Sequence, residues 1–214
     1  MDKEKRNPEN GRVYVINKPV GITSFHTVSR VKQITGCRKA GHAGTLDPLA
    51  SGVLIVCADS ATKRVSEFQG LEKEYHCVVE LGKASNTDDG EGRIIRCLEK
   101  PDISREEIEG VLKKYTGEIK QIPPVYSALK QNGVRMYKRA RRGEKVKQYP
   151  RLVYIRQIEV CSWNSPWLSL RVVCGKGTYM RSLARDVGRE LQVGGYLASL
   201  VRTRIGSYTI EESL

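Results

Sequence analysis

Short apolar runs separated by turn-forming clusters divide the chain into strands and helices. Val13 to Ile16 is such a run, closed by Asn17-Lys18-Pro19, the pattern of a strand entering a turn. Val28, Val31 and Ile34 recur at helical spacing behind Ser24, a candidate cap, and Gly36 marks the stop. Arg38 to Ser51 reads as a loop of small residues, and Val53 to Cys57 as a buried strand followed by a short helix from Ser60. Tyr75, Cys77, Val79 and Leu81 alternate on one face of a predicted strand, and Ser85 to Gly92 is a polar turn. Ser104 with Glu107 forms a capping-box signature for a helix reaching about Tyr115. Leu168, Leu170 and Val172 alternate up to Gly175-Lys-Gly177, a helix follows through about Leu191, and Leu197 to Tyr208 is again strand-like. Without a βαβ rhythm, this order predicts an α+β fold around a mixed sheet. Residues 1–11 read as a flexible tail and 12–214 as one domain, with no internal boundary and a basic insertion at about 130–156.

Charge adds a partner to this picture. The 214 residues carry 37 lysines and arginines against 24 acids, a formal net charge of +13. Such a balance favours a polyanion. No apolar run approaches the roughly 20 residues of a membrane helix, and the polar, mixed-charge start is not a signal or transit peptide. The excess is uneven: Lys130 to Arg156 holds ten cations and one acid, Glu144. Tyr126, Tyr137, Tyr149 and Tyr154 lie in or beside that run, so phosphate-binding heads are mixed with flat faces on which bases stack. Gly133, Gly143 and Pro150 interrupt it, which disfavours a membrane-surface helix.

Several chemistries are disfavoured. Cys37, Cys57, Cys77 and Cys97 are spaced by twenty, but their contexts share nothing, and there is no CxxC. The histidines His26, His42 and His76 form no ligand-like cluster, so no metal is expected. Six scattered cysteines without a secretory signal read as reduced, mostly buried thiols of a cytoplasmic protein. Gly175-Lys-Gly-Thr178 is no Walker loop, since Leu170 stands where a glycine is needed. A calcium loop beginning at Asn86 has Cys97 in place of its twelfth-position acid. The segment Ala40-Gly-His-Ala-Gly-Thr-Leu-Asp-Pro-Leu-Ala-Ser-Gly52 stands out. Its small residues allow close backbone approach, and Pro48 pushes its one acid, Asp47, out of helical geometry. On residue type alone, a structural turn capped by Asp47 remains open.

This segment resembles the catalytic motif of the TruB family of pseudouridine synthases, the tRNA pseudouridine-55 synthases. Asn17-Lys-Pro-Val-Gly21, Lys73-Glu-Tyr75, Ile122-Pro-Pro-Val-Tyr-Ser-Ala-Leu-Lys130, Lys176-Gly-Thr-Tyr-Met-Arg181 and Leu200-Val-Arg-Thr-Arg-Ile-Gly206 are also family-like and in family order. The resemblance extends over roughly residues 11–208. It implies the pseudouridine synthase fold, a mixed, mostly antiparallel central sheet flanked by helices, and isomerisation of uridine in the T-arm loop of tRNA. It implies no cofactor.

In that resemblance Asp47 matches the nucleophile, Arg181 its arginine partner, and Tyr75 the residue that stacks on the flipped base. Tyr179 and Leu200 match pocket positions, His42 a histidine that rearranges against the RNA loop, and Lys18 a support of the motif loop. The basic stretch, through Lys130, Arg135, Lys138, Arg139, Arg141 and Arg142, is expected to contact the RNA backbone. A monomer with no obligatory protein partner and no membrane contact is expected. Ala43 and Ser51 stand where the family has threonine, and Asn86 where an aspartate is common, leaving Asp89 as the candidate helper. Bacterial members continue into a PUA-type RNA-binding domain, so a catalytic domain without it is expected. A non-catalytic RNA-binding module on the same scaffold, a guide-RNA-dependent relative and an unrelated nuclease built on Asp88, Asp89 and Glu91 are the competing readings.

Overall fold

The protein is described by a computed structural model covering residues 11–97, 101–127, 129–131 and 133–214, without the side chains of Lys130 and Gln131. The tail expected over 1–11 lies, except for Gly11, outside the described residues. The elements run β1 (Val13–Lys18), α1 (Ser24–Thr35), β2 (Ala40–His42), β3 (Ala50–Ala58), a 3₁₀ turn (Asp59–Arg64), α2 (Val65–Gly70), β4 (Lys73–Leu81), β5 (Lys83–Ser85), β6 (Ile94–Arg96) and α3 (Arg105–Lys113). There follow β7 (Gly117–Gln121), β8 (Lys130–Gln131), β9 (Val134–Arg135), α4 (Met136–Arg141), β10 (Arg151–Asn164), β11 (Trp167–Cys174), α5 (Met180–Glu190), β12 (Gly195–Ile205) and β13 (Tyr208–Thr209). The fold is α+β, and the strand pairs described are antiparallel, with one parallel bridge between Asp89 and Leu197.

The chain forms two compact units: residues up to Tyr75 with Val201–Leu214, and His76–Leu200. Both divisions fall inside strands, β4 and β12, so no linker composition marks them and the sequence shows none.

The first unit is organised by β3. It pairs antiparallel with β1, Val13 opposite Cys57 and Lys18 opposite Gly52, and with β2, His42 opposite Val56. Successive side chains point to opposite faces, and both faces are covered. Val53, Ile55 and Cys57 pack with Ala43, Phe68 and Ile205, while Leu54 and Val56 pack with Val28 and Val31 of α1. Coverage on both sides is why this segment reads as an unbroken apolar run. The α1 helix departs from expectation at its cap and at one of its three apolar positions. Its cap is Thr23, whose side chain accepts from the His26 amide at 3.1 Å, because the Ser24 hydroxyl is engaged elsewhere. Ile34 is 68% exposed, whereas Gly36 ends the helix at φ 65° as expected.

In the second unit the sheet runs β12-β4-β11-β10-β7. Tyr75, Cys77, Val79 and Leu81 form the buried stripe of β4 expected from their alternation. The Ser104–Glu107 capping box is complete in both directions and opens α3. The run expected to be an insertion to about residue 156 ends earlier: Arg151 to Arg156 belong to β10, where Val153 and Ile155 are buried and pair with Ile119 and Gly117. Three cysteines, Cys57, Cys77 and Cys174, are buried, while Cys97 and Cys161 are exposed, fewer buried than expected. Burial pushes the Cys77 thiol up to about 12.

Candidate active site

In the first unit, Asp47 sits half-buried on the turn between β2 and β3. Its neighbours are fixed through backbone groups on both sides. The Ser24 hydroxyl, at the start of α1, donates to the Leu46 carbonyl (3.0 Å) and accepts from the Leu46 amide (2.8 Å). The Ala50 amide donates to the Asp47 carbonyl at 3.1 Å, and the Gly21 amide to the Pro48 carbonyl at 2.8 Å. Arg202, 1% exposed, donates from Nη2 to the Gly44 carbonyl (3.1 Å) and from Nε to the Val53 carbonyl (2.7 Å). A fully buried guanidinium is tolerated when carbonyls receive its protons. Gly52 is required beside it: its φ is +102°, and a Cβ there would stand 2.2 Å from the Arg202 carbonyl oxygen.

Lys18, at the end of β1, is fully buried and donates to the carbonyls of Pro19 (2.8 Å) and Ile22 (2.7 Å). Its ammonium therefore ties together the turn whose Gly21 amide donates to the Pro48 carbonyl. His42 is half-buried on β2, and Tyr75 is buried on β4. Asp47, His42, Lys18 and Tyr75 thus belong to the first unit.

Arg181, Tyr179 and Leu200 belong to the second. Arg181 lies in the first turn of α5 and is buried. Its Nη1 is 3.3 Å from Asp89 Oδ2, and it also donates to the carbonyls of Thr87 (3.4 Å) and Tyr126 (3.0 Å). Asp89, the candidate helper, is itself held at Oδ1 by the Thr87 hydroxyl (2.5 Å) and the Glu91 amide (3.1 Å). The polar turn expected over Ser85 to Gly92 is therefore a mount for the arginine. Arg185, one helical turn on, pairs with Asp88 at 2.8 Å. Burial pushes the Asp88 carboxyl up, and the Arg185 charge pulls against it. Tyr179 is the cap residue of α5, and Leu200 is buried on β12.

The basic stretch forms the β8–β9 hairpin, α4 and the coil leading to β10. Arg135, Lys138, Arg141 and Arg142 are exposed, whereas Arg139 is half-buried and pairs with Glu144 at 2.7 Å. Arg141 lies over the Tyr137 ring at 5.7 Å and Lys147 over Tyr149 at 5.3 Å, so cations and rings are paired locally. The Lys130 side chain lies outside the described residues.

Comparison with known proteins matches residues 32–180 to the model of the N-terminal domain of the TruB family pseudouridylate synthases. The chain belongs to the TruB family. A tRNA pseudouridine synthase B of Bacteroides fragilis is 46% identical over 215 residues, covering 97% of this chain and 92% of the relative. That of Phocaeicola vulgatus is 43% identical, covering 97% and 91%. Among solved structures, a chain of a Cbf5-Nop10-Gar1 complex superposes with TM-score 0.73 at 32% identity, over 96% of this chain and 53% of that one. A chain from the structure of an H/ACA RNP bound to a substrate RNA containing 2′-deoxyuridine gives TM-score 0.68 at 30% identity, over 92% and 48%. This TruB-family chain therefore spans about half the length of those solved chains and has the pseudouridine synthase fold implied by its motifs.

Two residues that hold the backbone around Asp47 in the first unit, Ser24 and Arg202, are not among the candidate site residues expected from the sequence. Ser24 reads as a cap and Arg202 as one of many cations. The only hint for Arg202 is its place inside the Leu200–Gly206 motif.

Proposed function

We propose that this chain isomerises uridine to pseudouridine at position 55 in the T-arm loop of tRNA, with Asp47 as nucleophile. The supporting observation is the turn that presents Asp47. Backbone groups from Leu46 to Ala50 are held by Ser24, Gly21 and the turn itself, with Asp47 half-buried. Fixing a nucleophile in this way lowers the entropic cost of reaching a reactive geometry. Family membership and the names of the relatives, tRNA pseudouridine synthase B, support the reaction and its RNA.

The target base is first turned out of the stacked loop, at a cost of a few kcal/mol, offset by phosphate contacts from Arg135, Lys138, Arg141 and Arg142. The bond from C1′ to N1 breaks, the base turns, and C1′ joins C5. The C5 proton is lost and N1 gains one, so uridine and product are isomers. The ionised Asp47 carboxylate is the nucleophile, and Tyr75 stacks on the extruded base. Arg181, Tyr179, Leu200 and His42 keep the roles the resemblance implies.

Asp47→Asn tests this reading. Tritium release from tRNA labelled at uridine C5 is expected to fall to background, while tRNA binding in a filter assay stays within about twofold of wild type, as the lost group is a nucleophile and not a phosphate contact. An undiminished rate would remove Asp47 from the chemistry. Binding without tritium release by the unsubstituted protein would indicate a non-catalytic RNA-binding module.

A further inference from the structure

The Ile122-Pro-Pro-Val-Tyr126 segment has no part in the chemistry above, yet the start of α5 is built against it. Gln121, 2% exposed at the end of β7, uses both ends of its side-chain amide on one residue: Oε1 accepts from the Tyr179 amide at 2.8 Å, and Nε2 donates to the Tyr179 carbonyl at 3.0 Å. The Ile122 carbonyl accepts from the Ser182 hydroxyl (2.8 Å) and from Arg185 Nη2 (2.9 Å). The Tyr126 carbonyl accepts from Arg181 Nη2 at 3.0 Å. Pro123 and Pro124 are both buried, and their fixed φ stiffens the segment between these contacts.

Tyr179 caps α5 without a side-chain cap bond of its own, in extended geometry with φ −108° and ψ 114°. That cap residue is therefore held by the amide of Gln121, which stands in for a neighbouring strand. We propose that Gln121 is a positioning residue: by clamping the Tyr179 backbone it sets both the Tyr179 side chain and the first turn of α5, from which Arg181 projects. The functional half of this inference rests on the reading of Tyr179 and Arg181 under Proposed function; the clamp does not.

Two variants and two readouts test it on the full chain. Gln121→Ala removes the clamp. Gln121→Glu is close in shape and accepts from the Tyr179 amide, but when ionised has no proton for the carbonyl. Amide exchange at Tyr179 reads the clamp whatever the reaction: Gln121→Ala is expected to lose protection there, and Gln121→Glu to retain it. Single-turnover pseudouridine formation in tRNA reads the consequence. Gln121→Ala is expected to slow the step between about tenfold and a hundredfold, the scale of a small misplacement of reacting groups, with tRNA affinity within about twofold. The Gln121→Glu rate relative to wild type is expected to rise as pH falls, because a buried carboxyl with a raised pKa regains its donor on protonation. A purely structural role would lower the melting temperature while leaving the rate of the folded protein unchanged and the Gln121→Glu to wild-type ratio flat with pH, and that result overturns the proposal. If Gln121→Ala does not fold, the pH ratio of Gln121→Glu decides alone. A wild-type protein that makes no pseudouridine, with the exchange result intact, would count against the proposed reaction and leave the clamp standing.

Discussion

Arg181 and Asp89 retain only 5% and 2% of their exposure, so neither charge is solvated by bulk water. Asp89 is satisfied by Thr87, the Glu91 amide and the guanidinium, and Arg181 is held by two carbonyls besides. Removing one partner of such a pair leaves the other charge buried, at a cost of about 3–5 kcal/mol. Arg181→Met, similar in length and uncharged, is therefore expected to lose stability on that scale in urea unfolding at neutral pH. A loss below about 1 kcal/mol would show that water reaches the carboxylate once the arginine is gone. Motif resemblance, not residue identity, points to Asp47 and Arg181. Neither shows that Ser24 binds both backbone groups of Leu46, because a serine before a helical pattern is as well suited to capping.

Among the elements, the basic stretch shows how local pairing redistributes a charge run. Lys138 and Arg135 are exposed, whereas Arg139 has Glu144 at 2.7 Å. A cation already neutralised by a carboxylate releases fewer counterions when it meets a phosphate. Lys138→Ala and Arg135→Ala are each expected to weaken tRNA binding and to reduce the salt slope by about 0.9, the value for one duplex phosphate contact. Arg139→Ala is expected to change the slope by less than half of that; equal slopes across the three variants would refute the distinction. Helices and strands with strong local signals were legible: the capping box of α3, the glycine stop of α1 and the alternation of β4 and β11 all appear. The very short elements β2, β8, β9 and α4 were not, since two to six residues are too few to show a period. The first part of β10 was hidden because Arg151 and Arg156 flank its buried Val153 and Ile155, and charge masked the alternation.

For the molecule as a whole, a net charge of +13 makes RNA binding an electrostatic event. The affinity for tRNA is expected to fall linearly with the logarithm of salt, by about 10³-fold or more between roughly 50 and 200 mM, as for a protein making six to ten phosphate contacts. Titrations over that range check this, and an affinity insensitive to salt would move the recognition away from phosphates.

The sequence by itself determined the α+β class, the family and the candidate residues, because periodicity, caps and motif strings are local properties written in order along the chain. The division into two units, the burial of Lys18 and Arg202 beneath backbone carbonyls, and the clamp of Gln121 on Tyr179 were decided only in the tertiary structure. The clamp and the Arg202 contact depend on groups distant in the chain, 58 positions apart for Gln121 and Tyr179 and 158 for Arg202 and Gly44, whereas Lys18 bonds the nearby carbonyls of Pro19 and Ile22 and owes only its burial to the fold around it. A buried polar side chain looks like any surface one until its partner is known.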